Sequence, residues 1–358
     1  MIDRNSPLPL YYQLAEHIKS QVESGAIKPG DKLPSESEMI ELYGIGRLTI
    51  RQALSQLVNA GYLHKVHGKG TFCRETAAQG SRVNIDVILD MSFTYFTPYL
   101  IKGISHVLSA NNCNFIIHDS KHDSLVIGDL LIGILGKGTS GLILQPSRIT
   151  GEVSESLRHS FMQLRGAGIP YIMIDSVYEG VDTSYIILDD YKGGCLGARY
   201  FAELGHRHMG VVYMDDYKDS LLRRSGFAKT CEIMGLPKPV AILYESGFVD
   251  KLYEAVRHDR ITALFCYNDQ VALECISHLK AYGLAIPGNI SVLGFDDSII
   301  ATATSPQLST IAHPKQVMGE QAAGALLELI KKNRLWPYTS VFDPILIRRG
   351  SCAPPPAY

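Results

Sequence analysis

The stretch that decides the fold of the first part of the chain is LPSESEMIELYGIGRLTIRQALSQL, residues 33–57. Ser35, with Glu38 three residues later, is a capping box, which predicts that a short helix begins here and ends near Tyr43. A glycine follows, and the apolar spacing beyond it predicts a further helix from about Arg47 to Asn59. The stretch therefore predicts two short helices joined by a tight turn.

The second of these helices separates apolar from polar side chains, which predicts one buried face. The apolar set is Ile50, Ala53, Leu54 and Leu57, and the polar set is Arg47, Arg51, Gln52 and Ser55. No Asp or Glu occurs between Leu42 and Arg74, so this region carries a basic surface. A run of charge is usually a solvated face, but a helix–turn–helix followed by a basic hairpin is also a DNA-binding architecture.

Segments on both sides complete this small unit. Upstream, four apolar residues at every fourth position predict an amphipathic helix that stops at Gly25: Leu10, Leu14, Ile18 and Val22. Downstream, Tyr62–Val66 and Thr71–Phe72 flank a glycine-rich tip and are predicted to pair as a hairpin.

Four spaced motifs of this unit resemble the winged helix–turn–helix of the GntR family of bacterial transcription regulators, over nearly all of residues 8–73. They are Leu33-Pro34-Ser35-Glu36, Arg47-x-Thr49-Ile50-Arg51-Gln52-Ala53-Leu54, Gly61-Tyr62-Leu63 and Gly68-Lys69-Gly70-Thr71-Phe72. The resemblance implies binding to duplex DNA. The expected contacts come from the later helix, through Arg47, Thr49, Arg51 and Gln52, and from a wing tip that enters the minor groove, His67, Gly68 and Lys69.

One position departs from the family pattern. Gly46 stands where GntR proteins often have a Ser or Thr that caps the recognition helix. A glycine cap costs only about a few tenths of a kcal/mol, so the departure is not expected to remove function.

Beyond a polar linker at residues 74–82, apolar strands alternate with helices over residues 83–350, which predicts parallel sheets covered on both faces. The length is too great for one comfortable core, so two α/β lobes are expected. The predicted strands are Val83–Leu89, Cys113–His118, Gly141–Gln145, Pro170–Ile174, Met209–Met214, Ala241–Tyr244, Ala263–Cys266 and Ile290–Phe295. The predicted helices include Tyr99–Ala110, Glu152–Ala167, Gly193–Leu204, Leu221–Met234 and Gln270–Tyr282.

Several motifs of this second part resemble, in order, the effector domain of LacI/GalR-type repressors. They are Asp189-Asp190-x-x-Gly193-Gly194, Leu204-Gly205-His206-Arg207, Arg223-x-x-Gly226-Phe227, Asn268-Asp269-x-x-Ala272, Pro287-Gly288-x-Ile290-Ser291-Val292-x-Gly294-Phe295-Asp296-Asp297 and Leu308-Ser309-Thr310-Ile311. The resemblance implies an α/β, two-lobed, periplasmic-binding-protein-like domain with doubly wound parallel sheets, which binds a sugar and dimerises. The DNA-binding domain and hinge helix of LacI proteins are absent. A GntR module joined to such a domain looks like the arabinose-responsive repressor subfamily.

A sugar between the lobes needs planar hydrogen-bonding partners for its hydroxyls and an aromatic face for its C–H side, at the carboxyl ends of strands. The polar candidates follow predicted strands or lie in matched motifs: Asp175, Arg223, Asn268 and Asp296, with Gln145 and His313 as possible additions. The aromatic candidates are Tyr95 and Phe96, with Phe248 as a weaker one. Each acid and Asn268 could instead cap a helix, and either aromatic residue could belong to the core.

The composition excludes several classes of protein. Lys and Arg number 34 against 36 Asp and Glu, so the net charge is −2 and the chain is not basic as a whole. No apolar run approaches the ~18 residues of a membrane helix, and no apolar leader is seen, so we expect a cytoplasmic protein without membrane contact. The seven scattered cysteines, none in a C-x-x-C pair, are typical of reduced thiols.

Three other motifs resemble cofactor, metal or catalytic sites but do not predict one. Gly136-x-Gly138-x-x-Gly141 precedes a predicted strand rather than following one, so no dinucleotide cofactor is expected. His206-x-His208 has no further ligand at metal spacing. The paired aspartates, Asp215-Asp216 and Asp296-Asp297, lack a nucleophile or phosphate loop, so no catalytic residues, metal or cofactor are expected.

One winged helix makes few contacts, so a homodimer on a pseudo-palindromic operator is expected, held together by the sensor domains. Sugar binding is expected to change the arrangement of the two lobes and to release the DNA. Three alternatives remain open: a different effector (another pentose, a nucleoside or a phosphosugar), an α/β enzyme acting on sugars or nucleotides, and a transport binding protein.

Overall fold

The computed structural model describes residues 9–59, 61–66, 69–74, 83–92, 95–147, 153–332 and 337–356. The chain divides into two compact units, Met1–Val83 and Asn84–Tyr358. The predicted linker at 74–82 falls at this division, but its residues 75–82 lie outside the described residues.

The first unit is a three-helix domain with a hairpin. Its elements are α1 (Leu10–Glu23), α2 (Glu36–Tyr43), α3 (Arg47–Asn59), β1 (Leu63–Val66) and β2 (Gly70–Cys73). The predicted capping box is confirmed, because the Ser35 hydroxyl accepts from the Glu38 amide while the Glu38 carboxylate accepts from the Ser35 amide. The apolar stripes of α1 and α3 meet in one core with Leu33 and Met39. The antiparallel hairpin is confirmed as well.

The second unit begins with alternating strands and helices that build the N-lobe. They are β3 (Asn84–Leu89), α4 (Thr97–Ala110), β4 (Asn114–Asp119), α5 (Ser124–Leu135), β5 (Gly141–Leu144), α6 (Glu155–Gly166), β6 (Tyr171–Ile174) and β7 (Ser184–Leu188). The C-lobe follows with α7 (Asp190–Glu203), β8 (Met209–Tyr213), α8 (Lys218–Ile233), β9 (Val240–Leu243), α9 (Phe248–Arg257), β10 (Ala263–Cys266), α10 (Asp269–Ala281), β11 (Ser291–Asp296), α11 (Ile299–Ala303) and β12 (Ser309–Ala312). The chain ends with α12 (Lys315–Lys332), β13 (Thr339–Phe342) and β14 (Ile345–Ile347).

Each lobe contains one sheet, with the order β13-β7-β6-β5-β3-β4 in the N-lobe and β14-β12-β11-β10-β8-β9 in the C-lobe. The pairs are parallel, as predicted, except that β14 runs antiparallel to β12. The chain passes from one lobe to the other after β7, after β12 and after β13. In the last passage only two residues, Asp343 and Pro344, separate β13 in the N-lobe sheet from β14 in the C-lobe sheet.

Helices α7 and α8 pack backbone to backbone, and this contact positions Arg223 on α8. A Cβ atom on Gly194 would lie 1.9 Å from the carbonyl oxygen of Arg223, and one on Gly226 would lie 2.0 Å from that of Tyr191. The two glycines therefore permit an approach that no larger residue allows.

Gly226→Ala is expected to lower the free energy of unfolding of the second unit by about 1–3 kcal/mol or more, because two helix backbones must separate. Gly324→Ala in α12 is the matched control, since nothing lies within 4 Å of its added Cβ. That change is expected to be neutral or to stabilise by roughly 0.5–1 kcal/mol. Urea unfolding followed by circular dichroism makes the comparison, and equal stabilities of the two variants would contradict the packing account.

Candidate functional site

Helix α3 presents to solvent the side chains expected to contact DNA. Arg47, Arg51 and Gln52 are exposed and Thr49 is half-buried, whereas the apolar face of α3 is buried in the core of the unit. Leu48 lies on the same open side and is 81% exposed. The predicted separation of the two faces of α3 is therefore confirmed.

Arg51 is held by an acid from the preceding helix. Its Nε donates to Oε1 of Glu36 at 3.1 Å, at the first residue of α2. The guanidinium still has four other N–H donors, and the pair limits the orientations available to a long side chain. The sequence analysis did not identify this contact, which joins residues 15 positions apart.

The hairpin adds positive charge beside Lys32. Lys32 forms an isolated β-bridge with Phe72 of β2. Its side chain passes close to Gly70, where an added Cβ atom would lie 2.9 Å from the lysine Cε. Lys65 and Lys69 are exposed. The other residues predicted at the wing tip, His67 and Gly68, lie outside the described residues.

In the second unit, Tyr95 joins the two lobes. It follows β3 in the N-lobe, and its hydroxyl accepts from Nδ2 of Asn268 at 2.9 Å and donates to Oδ2 of Asp296 at 3.3 Å. Asn268 also caps α10, because its Oδ1 accepts from the Val271 amide. The helix-cap alternative for Asn268 is therefore confirmed, and its amide nitrogen contacts the other lobe through Tyr95, whereas contact with an effector stays a prediction.

Arg223 lies in the middle of a buried group of acids in the C-lobe. Its Nε donates to Asp190 at 2.8 Å, its Nη2 lies 3.6 Å from Asp219, and its Nη1 lies 4.0 Å from Asp296. The guanidinium carbon is 3.6 Å from the centre of the Phe295 ring. Burial raises the pKa of Asp190 to about 7, and Arg223 opposes that rise.

A second polar group lies where the chain passes from β12 to α12. His313 is buried between two carboxylates, with Nε2 3.4 Å from Asp175 and Nδ1 3.7 Å from Asp296. Asp175 also accepts from Nε2 of Gln145 at 2.8 Å. The two additional candidates therefore lie beside main candidates: Gln145 contacts Asp175, and His313 lies between Asp175 and Asp296.

Asp296 is the acid that these groups share. Burial opposes its ionisation, but the adjacent His313 and the charges of Arg223 and Lys315 outweigh burial and hold its pKa well below the ordinary range. Lys315 also donates to the Asp296 carbonyl. The backbone of Asp296 has φ +99°, a conformation in which Asp and Asn are over-represented among non-glycine residues.

The aromatic candidates differ in position. Phe96 is only 2% exposed and packs edge-on against His313, with ring centres 4.8 Å apart, so it supports the polar group rather than offering an open face. Tyr95 remains half-buried between the lobes. The weaker candidate, Phe248, was wrong: it begins α9 and packs in the C-lobe core against Tyr244 and His278.

Family models match both units of the chain. A model described as "Bacterial regulatory proteins, gntR family" matches residues 10–73, and a model described as "Periplasmic binding protein-like domain" matches residues 198–352. The HTH-type transcriptional repressor PurR of Vibrio atlanticus is 31% identical over 291 residues, which are 79% of this chain and 84% of that protein. The chain belongs to the bacterial transcriptional repressors, with a GntR helix–turn–helix domain and a LacI/GalR-type effector domain.

Similarity to other known proteins supports this family assignment. The arabinose metabolism transcriptional repressor of Geobacillus stearothermophilus is 29% identical over 97% of this chain and 99% of its own length. The fold matches a LacI family regulator from Enterococcus faecium, solved with bound ribose, with a TM-score of 0.65 over 76% of this chain and 99% of that one, at 23% identity. These relatives are regulators, and the chain is a regulator rather than an enzyme.

Further contacts join the lobes of the repressor, and the sequence analysis missed them. His122, after β4, lies 3.1 Å from Asp90 and stacks on Tyr217 at the start of α8, with ring centres 5.1 Å apart. Lys218 Nζ contacts Glu179 at 2.6 Å. Asp90 directly follows β3, so the strand-end rule applied to Asp175 could also have found it.

None of the helices in the described part of the chain combines the length and the apolar character of a membrane span, and no group of three or more His, Cys, Asp or Glu side chains there is placed to hold a metal ion.

Proposed function

We propose that this repressor binds a palindromic operator through α3 and the β1–β2 hairpin, and that L-arabinose bound between the lobes releases it. The observation that carries the choice of sugar is the alignment with the Geobacillus arabinose repressor over 97% of this chain. A second repressor of the same description, from Halalkalibacterium halodurans, aligns over 96%. The proposed domains are 1–73 for DNA, 74–82 as linker and 83–350 for effector binding and dimerisation.

The chemistry of the group between the lobes supports a sugar. Carboxylates of Asp175 and Asp296 accept from hydroxyls, whereas Arg223 and the amide nitrogen of Asn268, which donates to Tyr95 in this structure, donate to them. Tyr95 is the aromatic residue on the N-lobe side. In the structure these groups contact one another across the lobes, so a sugar must replace those contacts and thereby change how the lobes meet.

The sign of the response follows from linkage. A ligand shifts the equilibrium between two arrangements only by its different affinity for them. We propose that arabinose favours an arrangement in which the two DNA-binding domains of a dimer no longer match the operator half-sites. Because the operator is chromosomal, the repressor acts in the cytoplasm.

The experiment that tests the effector is thermal unfolding of the full chain with L-arabinose, D-ribose, D-xylose, adenosine and a pentose phosphate. At about 100 times Kd, a true ligand stabilises by about 2.7 kcal/mol. We expect L-arabinose to give the largest shift. The ribose of the Enterococcus regulator makes D-ribose the second candidate. If none of the sugars raises the unfolding temperature, the proposal is contradicted.

Arg51→Ala is expected to weaken binding to the operator by roughly 5- to 150-fold, since a base-reading arginine contributes about 1–3 kcal/mol. The free energy of unfolding should change by less than about 1 kcal/mol, because the Glu36 pair is exposed. Fluorescence anisotropy on labelled duplex measures the first effect. Lys102→Ala in α4 of the effector unit is the control, and equal affinities of the two variants would argue against DNA reading by α3.

We further propose that β4 and α5 form the dimer contact. Strand β4 lies at one end of the N-lobe sheet, and three large apolar side chains on these two elements are open to solvent: Ile116 at 62%, Leu125 at 70% and Ile132 at 60%. An unpaired edge with an apolar neighbour is typical of a surface that a second copy covers.

Ile116→Asp is expected to convert the dimer to a monomer in analytical ultracentrifugation and to weaken operator binding, because it places a charge in the contact. Ile233→Asp on α8 is the matched control, as Ile233 is 74% exposed. If both variants remain dimeric, the contact lies elsewhere.

A further inference from the structure

A cavity of about 670 Å³ opens on the C-lobe, far from the group between the lobes. His208 and Thr262 line it, and they directly precede β8 and β10. The sugar candidates Asn268 and Asp296 lie at or just beyond the opposite, carboxyl ends of strands. The cavity therefore lies at the other edge of the same sheet, and it falls within the volume range of sites for small molecules.

Three arginines from separate segments line this cavity. Arg207 follows α7, Arg257 ends α9, and Arg260 lies in the loop before β10. All three are exposed, and among the described residues none of them forms an ion pair with a carboxylate. Asp259, the nearest acid in sequence, is not paired with them there either. Between exposed guanidinium groups the repulsion is weak, but an anion that enters the cavity is attracted by all three.

The wall opposite the arginines is fixed by a buried histidine. Nε2 of His206 lies 2.9 Å from the carbonyl oxygen of Ala353, which can only accept, so Nε2 carries a proton. Burial lowers the pKa of His206, so its Nδ1 is an acceptor and the Thr262 hydroxyl donates to it at 2.8 Å. This bond holds Ala353, and Pro355 and Pro356, two and three residues further along the chain, line the cavity.

A second cavity on the C-lobe, of about 630 Å³, provides a contrast. Its Lys229 is paired with Glu232 at 3.0 Å, and its Arg224 lies on the ring of Tyr213 at 4.2 Å. Lys238 also lines this second cavity, and in the first cavity Arg257 lies over the Tyr253 ring at 5.6 Å. Of the two, the first is the one that gathers three arginines, none of which forms an ion pair with a carboxylate among the described residues.

We propose that the first cavity, the arginine pocket lined by Arg207, His208, Arg257, Arg260 and Thr262, binds the phosphate group of a small phosphate monoester. The planar fork of a guanidinium matches two phosphate oxygens at once, and three such groups can share the three free oxygens of a monoester. The ligand is a sugar phosphate or a nucleotide, since the volume leaves room for a body beyond the phosphate. It binds in addition to the sugar between the lobes.

The test is isothermal titration of the full chain, without DNA and in a phosphate-free buffer, with ribose 5-phosphate, AMP and inorganic phosphate. Ribose and adenosine serve as uncharged partners of the first two. The comparison is made in the Asp296→Asn variant, whose sugar binding between the lobes is weakened, and there we expect the phosphate monoesters to bind at least tenfold more tightly than their uncharged partners. Tighter binding of ribose 5-phosphate would then indicate a sugar phosphate as the ligand, and tighter binding of AMP would indicate a nucleotide.

Variants locate the site. Arg257→Gln with Arg260→Gln, and separately Arg207→Gln, are each expected to weaken binding at least tenfold, whereas Arg224→Gln in the second cavity should leave it unchanged. These side chains are exposed or half-buried, so folding should persist. Binding that survives in both pocket variants, or no binding of any phosphate compound, overturns the proposal. Asp296→Asn should keep phosphate binding, so a failure of the arabinose proposal would be seen separately.

Discussion

Replacing Arg223 with methionine is expected to lower the free energy of unfolding of the effector unit by about 3–5 kcal/mol near pH 8. Methionine fills a similar volume but leaves Asp190, Asp219 and Asp296 buried without the cation that lies within 2.8–4.0 Å of them. Urea unfolding followed by circular dichroism measures the loss.

The pH dependence identifies the cause of this loss. Burial raises the pKa of Asp190 to about 7, above its value of about 4 in the unfolded chain. The stability that this carboxyl contributes is therefore fully present below about pH 4 and is lost as the pH rises through 7. Without Arg223 the pKa of Asp190 must rise further, so the deficit of the variant should shrink between pH 8 and pH 5.5.

Adding Asp190→Asn to the methionine variant is expected to restore part of the stability, because one buried charge is removed. If the double variant is less stable than the single one at pH 8, uncompensated charge is not the cause. A methionine variant as stable as the wild type would show that the buried ion pairs contribute nothing.

Asp296→Asn is expected to weaken L-arabinose binding by roughly 10- to 150-fold while operator binding persists, which yields a repressor that the sugar no longer releases. A hydrogen bond to a charged group contributes about 1.5–3 kcal/mol, and the pKa of Asp296 is held low enough to keep it charged. Asparagine has the same shape and tolerates the positive φ of this position, so the fold should persist.

Asp297→Asn is the matched control for that variant. Asp297 also has a positive φ, of 47°, but its carboxylate pairs with Nη2 of Arg349 at 2.7 Å. Sugar titrations by calorimetry, followed by operator release, compare the two. Equal sugar affinity in both variants would exclude Asp296 from the effector site.

Elements that are marked by a local sequence pattern were predictable. The capping box at Ser35, the apolar stripe of α3 and the strands that lead into Asp175 and Asp296 are each visible within a few residues. Strands β7 and β12 were not predicted. Strands β13 and β14 were missed as well, because they are only four and three residues long and partly exposed, and the apolar residues of β14 are too few to indicate a strand. They form only because each finds a sheet edge in a different lobe.

Contacts across long sequence separations were not predictable in the same way. The stack of His122 on Tyr217 and the position of His313 between two acids depend on how the lobes meet. Phe248 was misplaced because the strand-end rule was applied to a residue whose own helix, α9, turns it into the core. Residues at strand ends can thus be predicted as candidates for the binding site, but the side chains that they contact cannot.

The most direct test of the central claim measures operator binding by the full chain as L-arabinose is added. The duplex is one that the protein itself selects from random DNA, and anisotropy is followed at about 50 mM and 200 mM salt. The account predicts tight binding that weakens steeply with salt, as expected for phosphate contacts, and that arabinose abolishes. Salt-independent binding, or binding that arabinose strengthens or leaves unchanged, would contradict it.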